Sequence, residues 1–591
     1  MTGAQLNHCV LQLFLLLAIF SAAPAWAQAR PNIVMIMVDD AGLMDFEPFG
    51  GEAKMPTIQK LADQGVRFTQ HRSSPLCAPS RAMLLTGIDN HLTGIATIPE
   101  ILPPEHKNAS GYSMALEPGI RTIADRLREA GYRTYMTGKW HMGSRTVQEL
   151  PISHGFDRSF ILDASGADNW EQKPYMAYYA KAPWFEDDRP ATLPGNFYSS
   201  AFIVDKMIDY IGEGDTNADK EYKPFLAYLA FQAIHIPIQA PAEYTQHYAG
   251  VFDDGWHALR KSRWERAQTL GLIPHGAPLA DMPEGFRDWD ALSDEERRYY
   301  AKTMMVNAGM LEAMDHHIGR LVTWLGSQGE LDNTLFVITS DNGPEYNDIA
   351  NVPGMGLWYA AQGYNKDIAT MGEKGSLVSI GPEWASAAAS PSKLFKFYSS
   401  DGGIRVPLIL SGVSIPKATT QKSFSVVTDI LPTVLDLVHL PLHNNPEDIA
   451  VTGRSLAPVI LGTSEQTYGP DDSVGIETAG NAALFKGNYK LTRNLPPHGD
   501  RVWRLFDIVN DPGETLDLTT IEPDLFNELL TDYQSYAQTY GVQEMPQAYN
   551  SFKQVQTNTL QKLLKTYGLT LLAGGIVFLV LIILIIRKRW R

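Results

Sequence analysis

A chain of 591 residues is long enough for one large domain and a smaller one, each with its own apolar core. Its formal net charge of -17 at pH 7 argues against nucleic acid or an anionic membrane surface as a partner, because both attract clustered lysine and arginine. Any binding of anions must therefore depend on a local site.

Hydrophobic segments at both ends predict export and anchoring. Residues 1–27 have an apolar run and a small-x-small cleavage site, which are typical of a signal peptide, although an uncleaved anchor stays open because the start lacks lysine and arginine. Residues 569–586 are uncharged and apolar enough for a transmembrane helix, and a basic tail, 587–591, follows. This order predicts a periplasmic catalytic domain anchored in the inner membrane, with a cytoplasmic tail.

The first element expected in the exported part is a strand from Asn32 to Val38. Its run of apolar residues does not alternate with polar ones, which is typical of a strand buried on both faces. Asp39 and Asp40 follow it directly. Two adjacent carboxylates there are costly unless a cation neutralises them, so they are candidate metal ligands, with an exposed acidic turn as the alternative.

A helix is predicted to begin at Cys77. Pro79 and Ser80 favour a helix start and Gly87 favours its end. Unpaired backbone N–H groups and the helix dipole favour an anion and a reactive side chain at this end, and Arg81 lies one turn on, on the same face. Cys77, the sole thiol if residues 1–27 are removed, is a buried inert group, a metal ligand or a reactive group, and its surroundings favour the last.

Strands alternate with helices over residues 28–440, the predicted catalytic domain. The expected helices are 57–65, 120–130, 294–325 and 428–440, and the expected strands are 66–68, 132–136, 225–231, 335–339 and 406–410. This alternation predicts an α/β fold with a large mixed, mainly parallel sheet sandwiched by helices. Ligands bind beyond the carboxyl ends of such strands, and polar residues follow four of them: Asp39, Asp40, Lys139, His141, His235, Asp341 and Asn342.

The pattern changes after residue 440. Short segments separated by turns, at 474–478, 482–485, 489–492 and 503–507, predict a smaller antiparallel sheet within a C-terminal subdomain over 441–550. Residues 551–568 are polar and predicted to form a helical stalk.

The motifs of the chain resemble those of the sulfatase family, within the alkaline phosphatase superfamily, and the match looks closest to bacterial arylsulfatases. The resemblance is carried by Cys77-x-Pro79-Ser80-Arg81-x-x-Leu84-x-Thr86-Gly87 and, in the order of that family, by Asp39-Asp40, Gly138 to His141, His235 to Pro237, Asp341 to Gly343 and Gly402 to Pro407. It implies hydrolysis of small-molecule sulfate esters. It also implies that a maturation enzyme converts Cys77 to Cα-formylglycine, whose hydrate is the nucleophile.

The predicted metal site has oxygen ligands. Asp39, Asp40, Asp341 and Asn342, with the modified Cys77, imply a hard cation, and Ca²⁺ fits better than Zn²⁺, while Mg²⁺ stays open. The resemblance to sulfatases also implies Ca²⁺.

The resemblance assigns further roles. Arg81, Lys139 and Lys396 would surround the sulfate group, His235 with Lys396 would protonate the leaving oxygen, and His141 would take the proton that releases sulfate. Lys374 competes with Lys396 as the last lysine of the site, and Asp341 as base for the attacking hydroxyl is a hypothesis.

Two histidines are expected to have no catalytic part. His316 and His317 flank the buried stripe of the long helix and are interpreted as structural. The resemblance leads us to expect a histidine near Asn169, but residues 166–170 contain none, so substrate contacts of the family are not carried over to that loop.

Two alternatives to a sulfatase remain, a phosphonate or phosphate ester hydrolase of the same superfamily and a non-catalytic binding protein.

Overall fold

A computed structural model describes residues 30–216, 223–442 and 448–566. The predicted signal peptide (1–27), transmembrane helix (569–586) and basic tail (587–591) lie outside these ranges. Within them, no helix combines the length and the apolar composition needed to cross a membrane.

Helices and strands alternate through most of the described chain. The strands are β1 (Asn32–Val38), β2 (Gly65–Phe68), β3 (His71–Arg72), β4 (Arg133–Lys139), β5 (Arg158–Leu162), β6 (Trp184–Glu186), β7 (Arg189–Pro190), β8 (Phe225–Ala230), β9 (Thr334–Ser340), β10 (Leu408–Gly412), β11 (Thr419–Gln421), β12 (Ser425–Val426), β13 (Ser473–Thr478), β14 (Asn481–Lys486), β15 (Tyr489–Arg493) and β16 (Arg504–Asp507). The α-helices are α1 (Pro56–Asp63), α2 (Cys77–Thr86), α3 (Asn90–Thr93), α4 (Ile123–Glu129), α5 (Ser199–Thr216), α6 (Ala242–Gln246), α7 (Gly255–Thr269), α8 (Asp294–Ser327), α9 (Gly356–Ala361), α10 (Gly381–Ala388), α11 (Asp401–Ile404), α12 (Ile430–Leu437), α13 (Ala457–Ile460), α14 (Pro523–Tyr540) and α15 (551–566).

Ten strands form one mixed sheet in the order β11-β2-β10-β9-β1-β8-β4-β5-β6-β7. β1 pairs in parallel with both β8 and β9, and β4 pairs in parallel with β8 and β5, whereas β10 runs antiparallel to β9 and β2. The predicted large mixed, mainly parallel sheet is confirmed. Since β9, β1, β8 and β4 are neighbours, the polar residues that follow them meet at one edge.

The sheet is buried on both faces. Val34, Ile36 and Val38 of β1 pack into one apolar core with helices α1, α5 and α8, while the alternate residues of β1 pack into a second core with α2, α4 and α12. A strand between two helical layers needs apolar side chains at every position, which explains its unbroken apolar run.

The C-terminal sheet has the predicted antiparallel form. Strands β13 to β16 pair in sequence order, each antiparallel to the next, and α14 packs its apolar face on them. Lys490 of β15 pairs with Asp401, which precedes this sheet in the chain, at 2.8 Å, and with Glu514 of the same C-terminal region at 2.6 Å, and both ion pairs are buried.

The region predicted as a stalk is helical over 551–566 and lies against the catalytic domain. Asn558 is 8% exposed, and its amide donates hydrogen bonds to the backbone carbonyls of Glu100 and Leu102, both at 3.0 Å. Helix α15 is therefore packed along the surface rather than standing free of it.

Candidate active site

Cys77 is the first residue of helix α2. Leu76 before it is extended, and Gly87 ends the helix in the left-handed region with φ 68°, a conformation that glycine adopts without strain. The Cys77 side chain is buried, with its Sγ 3.8 Å from Asp40 Oδ1. The sequence prediction of a helix beginning at this cysteine is confirmed.

A cluster of carboxylates faces the thiol. Asp39 and Asp40 follow β1, and Asp341 and Asn342 follow β9, so the parallel pairing of these strands places them side by side. The backbone N–H of Asp40 donates to Asp341 Oδ1 at 3.1 Å, and Asn342 Nδ2 donates to Asp40 Oδ1 at 2.7 Å. All four residues are buried, which rules out an exposed acidic turn.

Three cationic side chains neutralise the three carboxylates. Lys139 Nζ lies 2.6 Å from Asp39 Oδ2, and Lys396 Nζ lies 2.7 Å from Asp40 Oδ1. Arg81 donates through Nε and a terminal nitrogen to Asp341 Oδ2, at 3.0 and 2.7 Å. Buried charges are tolerated only when paired, so removal of one of these partners would leave an uncompensated charge in the cluster.

Two oxygen atoms of the cluster have no hydrogen-bond partner, although both are buried: Asp39 Oδ1 and Asn342 Oδ1. Burial and the nearby Asp341 raise the pKa of Asp39 well above its usual value, despite Lys139 and Arg81. One potential ligand atom from each of Asp39, Asp40, Cys77 and His235 lies within 4.8 Å of the others. Orphaned oxygens in a mainly carboxylate cluster fit a hard cation, which would satisfy them and keep Asp39 ionised.

Comparison with known proteins decides the family, since a family model described as Sulfatase matches residues 31–440. The chain belongs to the sulfatase family. An uncharacterised sulfatase of Schizosaccharomyces pombe is 34% identical over 536 residues, which cover 88% of this chain and 95% of that protein. An arylsulfatase of Klebsiella aerogenes is 34% identical over 428 residues, which cover 70% and 88% of the two chains.

A solved structure has the same fold. The crystal structure of Ps i-CgsB in complex with k-i-k-neocarrahexaose superimposes with a TM-score of 0.61 at 20% identity, covering 90% of this chain and 97% of that one. The predicted resemblance to sulfatases is confirmed, and the family assignment supports hydrolysis of sulfate esters as the reaction.

In this sulfatase His235, which follows β8, lies beside the carboxylate cluster. Its Nε2 lies 3.7 Å from Asp40 Oδ2, and its Nδ1 donates to the carbonyl of Ile236 at 2.6 Å. Gly166 lies against the ring, where a Cβ would be 2.5 Å from Nδ1. Burial, and then Lys396 and Lys139, lower the pKa of His235 well below its usual value, so the ring is neutral with its Nε2 lone pair facing the carboxylates.

His141, two residues beyond the end of β4, has a different partner. Its Nε2 lies 3.5 Å from Glu100 Oε1, and Glu100 also accepts a hydrogen bond from the Tyr179 hydroxyl. Burial lowers the pKa of His141, although Glu100 opposes this shift. Burial alone would raise the pKa of Glu100, but His141 and Tyr179 lower it to about 2. Sequence reasoning missed Glu100, which lies in a loop with no motif.

The structure separates the two candidate lysines. The Lys396 side chain is 3% exposed, and its Nζ contacts both Asp40 and Glu345, the latter at 2.9 Å. Lys374 is 56% exposed and pairs with Glu171 at 3.4 Å. Glu345 was also missed, although its place four residues after Asp341 is a signal that could have found it.

Asn169, His316 and His317 lie outside the cluster. Asn169 is buried, and its Nδ2 donates to the carbonyl of Pro237 at 3.1 Å, so it holds the chain that follows His235. His316 and His317 lie on α8, where their rings contact Tyr244 and Tyr198.

The thiol itself is a weak nucleophile where it stands. Burial raises the pKa of Cys77 well above its usual value, although Lys139 and Lys396 oppose that shift. The thiolate, and not the thiol, attacks substrates, so burial outweighs the activating effect expected at a helix N-terminus.

Proposed function

We propose that this sulfatase hydrolyses small-molecule sulfate monoesters, aryl sulfates foremost, through a Cα-formylglycine that a maturation enzyme makes from Cys77. The observation that carries the proposal is a buried Cys77 at the head of a helix, 3.8 Å from Asp40 in a carboxylate cluster that pairs with Arg81, Lys139 and Lys396. Burial raises the pKa of its thiol. A thiol held in this state is a poor nucleophile, whereas a hydrated aldehyde offers one hydroxyl to attack sulfur and a second for sulfate release. The likeness to a bacterial arylsulfatase supports the aryl preference.

A hard divalent cation belongs to this proposal. Asp39, Asp40, Asp341 and Asn342 would hold it, and their oxygen donors favour Ca²⁺, with Mg²⁺ as the alternative. When bound, such a cation would lower the pKa of the attacking hydroxyl and screen the negative charge of the sulfate group.

The remaining side chains handle charge and protons. Burial alone would lower the pKa of Lys396, but Asp40 and Glu345 raise it well above its usual value, so this lysine is charged and would donate a hydrogen bond to the leaving oxygen. His235 lies beside the same Asp40 carboxylate and would act with Lys396 on the leaving oxygen. His141, whose Nε2 lies 3.5 Å from Glu100 Oε1, would take a proton from the second hydroxyl.

Substitution of the nucleophile tests the proposal. In Cys77→Ala we expect turnover of an aryl sulfate to fall by at least about a thousandfold, because the attacking hydroxyl is lost, while circular dichroism shows an unchanged fold. Mass spectrometry of the tryptic peptide Ser73–Arg81 from the active protein should show the aldehyde. An intact thiol in fully active protein, or faster turnover of a matched aryl phosphonate, would contradict the proposal.

A further inference from the structure

Helix α15 forms one wall of the cavity that contains the candidate nucleophile. This cavity has a volume of about 350 Å³ and is lined by Cys77, His235 and Lys396 at its catalytic end. It is further lined by a row of side chains from α15: Phe552, Val555, Gln556, Thr559, Leu560 and Leu563. These positions follow the spacing i, i+3, i+4, i+7, i+8 and i+11, which is one continuous face of a helix.

Contacts along its length hold the helix in place. Asn558 bonds the two backbone carbonyls described above, and the Phe552 ring packs edge-on against Tyr346 with centroids 5.5 Å apart. Lys562 Nζ lies 3.7 Å from the centroid of the Tyr178 ring. Contacts near both ends and in the middle of α15 thus fix its position beside the cavity.

The opposite wall is also apolar. It consists of side chains from the loops near His235 and α9: Tyr175, Met176, Ile349, Val352, Met355 and Tyr359. Leu560, on the helix side, is 58% exposed, whereas Tyr175 and Tyr359 are 6% and 7% exposed. An exposed apolar side chain beside a reacting centre lowers its free energy when an apolar group covers it.

We infer that this sulfatase selects sulfate esters whose alcohol carries an extended apolar body, which lies between α15 and the opposite wall while the sulfate group sits at Cys77. The inference rests on the proposed function and names its substrate class. A cavity of this volume is at the small end of those that bury a drug-sized ligand. The apolar body gains binding free energy by leaving water, and the cationic cluster fixes the anionic end.

A second cavity lies on the other side of α15 and has the opposite character. It has a volume of about 680 Å³ and contains five basic residues, Lys107, Arg145, Lys181, Lys562 and Lys565. It reaches His141 but not Cys77, so an ester that filled this cavity alone would leave the nucleophile uncovered. A substrate with a second anionic group is the competing possibility that the experiment below decides.

The test uses two leucines of the same helix. Leu560 lines the cavity, whereas Leu564, 55% exposed and one turn on, does not, so Leu560→Gln and Leu564→Gln are matched variants with little risk to folding. The substrates are phenyl sulfate and 4-octylphenyl sulfate, which share the reacting bond, at concentrations below aggregation of the latter. The readout is the ratio of kcat/KM between the two esters.

In the wild-type chain we expect the octylphenyl ester to be favoured by at least about tenfold. Leu560→Gln should reduce that ratio about fivefold, because a polar amide replaces apolar contact, and Leu564→Gln should leave it unchanged. Equal kcat/KM for both esters, equal effects of the two variants, or faster turnover of a disulfated disaccharide would overturn the inference alone. Failure to hydrolyse any sulfate ester would instead overturn the proposed function, and this inference with it.

Discussion

Asp40 is the residue through which the site is assembled. Lys396 and Asn342 bond its carboxylate directly, and the Cys77 thiol and His235 lie 3.8 and 3.7 Å from it. Its backbone is in the left-handed region with φ 64°, which costs free energy in a residue other than glycine and is tolerated where surrounding contacts enforce it. The contacts of Asp40 thus account for both its strain and its central position.

Replacement of Lys396 tests whether its charge is needed. Lys396→Met keeps the length of the side chain but leaves Asp40 and Glu345 without their cation, so we expect kcat/KM for an aryl sulfate to fall by about a hundredfold or more. Lys374→Met is the matched control and should stay within about twofold, because Lys374 is exposed and paired outside the cluster. Steady-state kinetics with both variants would decide, and equal losses would contradict the assignment.

At the scale of elements, local signals predicted most of the helices and strands around the site. Helix α8 begins at Asp294 as predicted, where Ser293 and Glu296 form a capping box, and β1 has the bounds expected from its apolar run. These signals are local because caps and burial periodicity act over a few residues.

Two features of the site could not be predicted from the sequence, because they depend on contacts between distant parts of the chain. Glu100 meets His141 across 41 positions of the chain, and no spacing rule connects them. The same holds for α15: its polar composition predicts a stalk, but its apolar face at Val555 and Leu563 becomes meaningful only beside the catalytic cavity.

A side chain of helix α8 caps the N-terminus of helix α1. The carboxylate of Asp315, buried in the middle of α8, accepts hydrogen bonds from the backbone N–H groups of Thr57 and Ile58 at 2.9 and 2.8 Å. These are among the first donors of α1, which have no partner within their own helix. A side chain from a neighbouring helix thus performs the role of a cap.

Loss of this cap should lower stability without changing chemistry. Asp315→Ala leaves two buried donors unpaired, so we expect the free energy of unfolding to fall by about 1–3 kcal/mol. Glu295→Ala, in the exposed first turn of α8, is the control and should change it by less than about 0.5 kcal/mol. Urea denaturation measures both, and KM for an aryl sulfate should be unchanged; an Asp315→Ala protein as stable as the control would disprove the capping role.

In the whole molecule, a buried histidine joins the catalytic domain to the C-terminal subdomain. His91 of α3 bonds Asp89 through Nδ1 at 3.0 Å and Glu477 of β13 through Nε2 at 2.6 Å. The Tyr536 hydroxyl of α14 donates to the other oxygen of Asp89 at 2.8 Å. Helix α3 of the catalytic domain thus meets β13 and α14 of the C-terminal subdomain at the His91–Asp89 pair.

This junction makes stability depend on pH. Burial alone would lower the pKa of His91, but its hydrogen bonds to Asp89 and Glu477 outweigh burial and raise the pKa to about 9. The unfolded value is about 6.5, so the folded state binds more protons between these two values. The contribution of the charged histidine, of the order of 3 kcal/mol, is therefore complete below about pH 6.5 and is lost as pH rises towards 9.

His91→Gln isolates that contribution, because glutamine keeps hydrogen-bonding capacity but does not titrate. We expect the urea midpoint of the wild-type chain to fall more steeply between pH 6 and pH 9 than that of the variant. Titratable groups that both proteins share contribute equally to the two curves, so the difference between the curves reports His91 alone. Parallel curves would show that the pKa of His91 is the same in the folded and unfolded states, which would contradict the prediction. Since Glu477 lies on β13, loss of the proton should loosen the C-terminal subdomain first, which hydrogen exchange of β13 and β14 at pH 9 would detect.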